Sequence, residues 1–194
     1  MRGRLLTACL LLCQWPVHAA TDTKTLASTV CVACHGVDGN GIAAAFPKLA
    51  GQQPEYLLKQ MTDFLGGKRK NDVMTPFLPA LKAANLKEVA QYYSALPSSQ
   101  AANSTGQSEA GKQVYNNGNI ANGVPGCVGC HGPGGQGVEL NARLAGQYQT
   151  YLIEQIKAFK SGARNNDKAR VMRNAVVNLS EAEINAVAEY LVTQ

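Results

Sequence analysis

Four cysteines and two histidines stand in the same arrangement twice in this chain, as Cys31-Val32-Ala33-Cys34-His35-Gly36 and as Cys127-Val128-Gly129-Cys130-His131-Gly132. Two thiols three residues apart lie on one side of a helical turn, so their sulfurs can add to the two vinyl groups of one haem. The histidine that follows is then held beneath the iron as its proximal ligand. Cys-x-x-Cys pairs also serve structural zinc and thiol redox chemistry. Zinc would call for two closely spaced pairs in one small unit, whereas these pairs lie ninety-six residues apart. A thioredoxin-like site would follow a strand, and no alternating β-branched run precedes either motif. The motifs therefore predict two covalently bound haem c groups. Cys31, Cys34, Cys127 and Cys130 would hold them, with His35 and His131 on the irons.

Residues 1–20 read as a secretory signal, with Arg2 and Arg4 before the apolar run Leu5–Leu12 and a small-residue cleavage site at Val17-His18-Ala19. The run is too short to span a bilayer. Cleavage would remove Cys9, Cys13, His18 and Trp15, leaving every remaining cysteine and histidine inside the two motifs. No disulfide framework and no second histidine ligand are then available. It would also take the formal charge from +5 to +3, which gives no sign of a nucleic-acid partner.

With histidine exhausted, the sixth iron ligand should come from methionine, from lysine or from nothing. The mature chain has Met61, Met74 and Met172. A repeat decides among them. From Leu49 to Asn71 against Leu144 to Asn166, eleven of twenty-three positions are identical, including Tyr56 with Tyr151, Gln60 with Gln155, Phe64 with Phe159 and Arg69 with Arg164. Met61 aligns with Ile156, as a core position would, whereas Met74 corresponds to Met172 in a polar, basic loop. Met74 and Met172 are the expected axial ligands. A thioether favours ferrous iron and leaves no open coordination position, which suits electron transfer rather than catalysis.

The elements that must position these groups repeat as well. Each motif leads into a glycine-rich loop and then Leu-Ala-Gly-Gln, at 49–52 and 144–147. A helix follows in each copy, opened in the first by Pro54 and ended by Gly66-Gly67. Seven residues after each methionine comes a leucine, Leu81 and Leu179, leading into a closing helix, for which Ser180 and Glu183 form a capping box in the second copy. The fold class is all-α, with two tandem helical domains of one haem each. The first spans 21–97, a Pro- and Ser-rich linker covers 98–107, and the second spans 108–194. Pro47 is a candidate either for directing its carbonyl to the free ring nitrogen of His35 or for a simple turn, with Ala142 in the matching position. Arg69 and Arg164 are candidates for pairing with haem propionates, and Arg164, Lys168, Arg170 and Arg173 form a basic cluster around Met172.

The paired Cys-x-x-Cys-His-Gly motifs, the glycine loop, Leu-Ala-Gly-Gln with its Tyr-Leu and Gln, the Arg-Asn segment, the distal methionine and the closing tyrosine-bearing helix together resemble the di-haem class I cytochromes c of the c4 type. The resemblance implies two small cytochrome folds about a pseudo-two-fold axis, with propionates near the shared interface, in a periplasmic protein. It implies an electron carrier between a quinol-oxidising complex or dehydrogenase and a terminal oxidase, a role compatible with peripheral membrane association. The alternative is an electron-accepting subunit of a flavoprotein or quinoprotein dehydrogenase, such as a sulfide-oxidising flavocytochrome. A di-haem peroxidase or thiosulfate-oxidising enzyme would need an open iron or an unusual ligand, and the mature chain has no spare histidine or cysteine to supply one. The chain is therefore expected not to be an enzyme.

Overall fold

A computed structural model describes residues 22–99 and 108–194. The expected signal, residues 1–20, and most of the expected linker lie outside the described residues. Among the described residues the regular structure is helical, joined by turns and by two isolated bridges, Asn119 with Val124 and Val138 with Asn141.

In the first half, α1 (Thr23–Leu26) runs through a wider π turn at Ala27–Cys31 into α2 (Val32–His35). Asp22 caps α1 by accepting from the Thr25 N–H at 3.0 Å. Then come α3 (Pro54–Leu65), α4 (Leu78–Lys82) and α5 (Leu86–Ser94). Pro54 opens α3, where its missing N–H would have had no partner, and Gly66 caps the end before Gly67 turns away at a φ of 70°. Leu26, Ala27, Leu57, Val89, Ala90 and Tyr93 form the buried core, with Met61 packed against it.

The second half repeats the plan with α6 (Glu109–Asn117), α7 (Val128–His131), α8 (Gln149–Ser161), α9 (Val171–Val176) and α10 (Glu181–Val192). Here an excursion at 118–126 separates the first helix from the haem motif, where the first half has only the π turn. The α6 and α10 helices cross closely enough that a β-carbon at Gly111 would lie 1.9 Å from the Ala186 carbonyl oxygen. The Ser180–Glu183 capping box is present, with the Ser180 hydroxyl accepting from the Glu183 N–H at 3.2 Å and the Glu183 carboxylate accepting from the Ser180 N–H at 2.7 Å. Val114, Tyr115, Leu152, Phe159, Leu179, Ile184, Val187 and Leu191 lie in this core, and Ile156 packs against it as Met61 does in the first.

Candidate functional site

Each short helix carrying a motif ends on its histidine. Gly36 and Gly132 follow with φ of 77° and 75°, a conformation that glycine adopts without a steric cost, and so turn the chain into the loop beneath the ring. His35 and His131 are buried, each 8% exposed. The His35 Nδ1–H donates to the Pro47 carbonyl at 2.9 Å, and the His131 Nδ1–H donates to the Ala142 carbonyl at 2.8 Å. A carbonyl can only accept, so the proton sits on Nδ1 and Nε2 keeps its lone pair for a metal. Burial lowers both histidine pKa values, though the carbonyl bonds oppose it, which favours the neutral, ligating ring. That the second domain uses an alanine carbonyl where the first uses a proline shows that backbone position, rather than residue type, matters here.

Around the first motif lies an apolar cleft with about 390 Å³ of empty space, counted with the solvent at its mouth. Leu26, Val30, Cys31, Cys34 and His35 line it together with Met74, Phe77, Ala80 and Leu81. The donor set fits a haem. Two unbridged cysteines and a lone-pair-bearing imidazole share this cleft with a half-buried thioether, and the lining between them is hydrocarbon. In the second domain Cys127, Val128 and Met172 pack on one buried core. Burial pushes the Cys127 thiol up to about 11 and raises the Cys31 thiol, so neither is a ready thiolate of the kind that thiol redox enzymes use. When bound, haem would supply a one-electron iron centre at each site.

Met74 lies just before the 3₁₀ turn Thr75–Phe77. Met172, expected in a loop, is instead the second residue of α9. The second copy has three more residues between Asn166 and Met172 than the first has between Asn71 and Met74, and those residues cause the difference. They fold into a tight turn with Ala169 and Arg170 left-handed at φ of 51° and 60°, so that a helix can restart at Val171. The expected basic cluster is smaller than its sequence suggests. Arg173 is bound to Asp167 at 2.8 Å and Arg164 is buried, leaving Lys168 and Arg170 exposed.

Arg164 is buried because it belongs to the contact between the domains, which sequence reasoning missed. Its guanidinium donates to the Tyr56 hydroxyl at 3.0 Å, to Gln60 at 3.0 Å and to Gln155 at 2.7 Å. Reciprocally, Arg69 donates to the Tyr151 hydroxyl at 3.1 Å, to Gln155 at 3.2 Å and to Gln60 at 3.1 Å. Each arginine also stacks on its own domain's phenylalanine, Arg69 on Phe64 and Arg164 on Phe159. Burial acts to raise the Tyr56 phenol's pKa, but Arg164 and Arg69 outweigh it and the net shift is downward. The glutamines of the two Leu-Ala-Gly-Gln segments behave in the same reciprocal way. The Gln52 amide pairs with the N–H and carbonyl of Arg143, and the Gln147 amide with those of Lys48. Approximate two-fold symmetry thus relates the two halves. The signal for it was the repeat itself, whose identical residues are those that reach across.

A helical protein that repeats the Cys-x-x-Cys-His helix, the carbonyl-held histidine and a methionine packed nearby in each of two symmetric domains is a di-haem c-type cytochrome. The Cytochrome c family matches the chain twice, at residues 20–96 and 108–194. Cytochrome c4 of Thiocapsa roseopersicina is 41% identical over 168 residues, covering 85% of this chain and 87% of that protein. The thiosulfate dehydrogenase electron acceptor of Thiomonas intermedia is 38% identical over 199 residues, covering 100% of this chain and 92% of its own length. Among solved structures, reduced recombinant cytochrome c4 from Pseudomonas stutzeri superposes with a TM-score of 0.82 at 35% identity, covering 90% of this chain and 97% of that one. The chain belongs to the cytochrome c4 family, carries two covalent haem c groups and is a di-haem electron carrier.

Proposed function

We propose that the chain is exported to the periplasm with loss of residues 1–20, and that domains 21–97 and 108–194, joined by linker 98–107, each hold one haem. Cys31 and Cys34 attach the first, with His35 and Met74 on its iron, and Cys127 and Cys130 attach the second, with His131 and Met172 on its iron. The protein then passes single electrons from a quinol-oxidising complex or a dehydrogenase to a terminal oxidase. The observation that carries this reading is the cleft in which Cys31, Cys34, His35 and Met74 line one apolar space. Two axial protein ligands leave no position for substrate on either iron. Absorption spectra of the mature protein, ferric and dithionite-reduced, with and without carbon monoxide, test it. Two low-spin haems, the weak far-red thioether-to-iron band and indifference to carbon monoxide are expected. A high-spin or carbon-monoxide-binding haem overturns the methionine assignment and with it the simple carrier role.

A second reading is that the electron donor is a thiosulfate dehydrogenase. It is supported by the 38% identity, across the whole chain, to a protein named as that enzyme's electron acceptor. A catalytic partner that copurifies with this chain and reduces it on addition of thiosulfate favours this reading. Reduction only by a quinol-oxidising complex removes it.

A further inference from the structure

The two domains differ at one buried position beside their haem motifs. The Gly51 N–H donates to the Tyr93 carbonyl at 3.1 Å and, one repeat later, the Gly146 N–H donates to the Leu191 carbonyl at 2.8 Å. Tyr93 and Leu191 also press on matching loop glycines, Gly39 and Gly135, and are 3% and 1% exposed. The first domain therefore places a phenol where the second has hydrocarbon. The Tyr93 hydroxyl is enclosed and, among the described residues, makes no well-formed hydrogen bond, a condition that buried polar groups seldom tolerate. Cys31 packs against the same core cluster as the Tyr93 ring and stands beside its hydroxyl. Burial and then Cys31 raise the phenol's pKa, so the hydroxyl keeps its proton. Conversely, the phenol opposes the burial that raises the Cys31 thiol.

The second domain also brings a tyrosine near its first cysteine, but from α6 and with a different outcome. Tyr115 lies beside Cys127, and its hydroxyl proton is committed to the Gly132 carbonyl at 2.5 Å. Among the described residues Tyr93 has no such carbonyl.

We propose that Tyr93 is a positioning residue of the first site, its hydroxyl donating to the Cys31 sulfur once that sulfur is a thioether and thereby raising the reduction potential of the first haem. A thioether sulfur has lone pairs and no proton, so the phenol must be the donor. The positive end of the O–H dipole then faces the haem periphery, which favours the added electron. Leu191 supplies no such dipole, so the effect falls on the first haem alone. This inference rests on the haem attachment at Cys31 proposed above.

Potentiometric titration of the haem-loaded protein, followed in the visible bands, resolves the two sites as two waves. Tyr93→Phe keeps the ring and removes the O–H. One wave should fall, its reduced-to-oxidised ratio at fixed potential dropping about fivefold, the effect of one net hydrogen bond, while the other wave stays in place. Tyr93→Leu copies the second domain and should move the same wave in the same direction. Two unmoved waves in Tyr93→Phe, or two waves moving together, overturn the proposal. The pyridine haemochrome spectrum counts the attached haems, and fewer than two per wild-type chain overturns the attachment reading and this inference with it.

Discussion

Replacing Gln147 by alanine tests whether the reciprocal glutamine clasps hold the domains together. The Gln147 amide oxygen accepts from the Lys48 N–H at 3.0 Å, and its NH₂ donates to the Lys48 carbonyl at 3.0 Å. Two hydrogen bonds between the domains are lost in the variant, worth about 1–3 kcal/mol together if their partners were simply rehydrated. Gln147 and Lys48 are each 6% exposed, so water reaches the abandoned Lys48 backbone poorly and the cost moves to the upper end, about 3 kcal/mol. The loss falls on the contact between two domains rather than on either core. Urea unfolding followed both by far-ultraviolet circular dichroism and by haem absorbance should therefore show a lower midpoint and probe-dependent, separated transitions. Gln52→Ala, which breaks the matching clasp on Arg143, should behave the same way. The double variant should lose less than the sum of the two, because a contact that has already opened cannot be lost again. A loss below about 1 kcal/mol with coincident transitions would refute the reasoning, since it would mean that the orphaned Lys48 groups find water or that the clasps contribute nothing net.

Two further outcomes follow from local geometry. Gly111→Ala puts a β-carbon 1.9 Å from the Ala186 carbonyl oxygen, so α6 and α10 must move apart. Thermal unfolding should show a loss of about 3 kcal/mol or more, and a loss under about 1 kcal/mol would mean that the crossing yields easily. Glu183 bonds the Asn119 amide at 2.8 Å and the Ser180 N–H, and these bonds hold its pKa below the ordinary value of 4.5. The unfolded chain therefore takes up a proton first as pH falls, so the stabilisation is complete above pH 4.5 and declines below it. Melting temperatures of the wild type and Glu183→Gln should differ at neutral pH and converge on acidification, and a gap independent of pH contradicts the linkage.

Much of this protein is legible in its sequence because local rules and global packing agree. Pro54 and Gly66 bound α3 where the chemistry of helix ends places them, and Ser180 with Glu183 caps α10. The motif histidines end their helices in both halves. The position of Met172 was less legible, because the fold of the extra residues depends on two non-glycine residues entering the left-handed region, and the residue types at Ala169 and Arg170 do not announce that. The arginine, tyrosine and glutamine pairs were visible as repeats, yet their role was not. A side chain repeated ninety-five residues later reads the same whether it serves its own domain or its sister, and only the facing of the two copies decides between them. Arg69 and Arg164, candidates for haem propionates by position, direct guanidinium donors to phenols and amides of the opposite half.

The polar character of that contact separates it from the two cores. Gln52, Gln60, Asp63, Gln147 and Arg164 are all buried, and each spends its hydrogen-bonding groups across or beside the boundary between the halves. An apolar interface of the same size would tolerate sliding, because dispersion and hydrophobic contact lose little when two smooth surfaces shift. A network of fixed donors and acceptors leaves orphaned groups for almost any displacement, so it selects one orientation even where its net contribution to stability is small. Symmetry is broken inside that network. Asp63, held by Lys59 and by the Asn166 amide at 2.7 Å, has Ala158 as its counterpart, so one half carries a carboxylate at the boundary and the other does not. Electron transfer between two sites weakens steeply with separation, so a carrier with two haems gains from an interface that fixes their relation and loses from one that slides. The duplicated residues that reach across the boundary meet that requirement, and among the positions that differ between the copies, Tyr93 against Leu191 and Asp63 against Ala158 are two where the sites can become unequal.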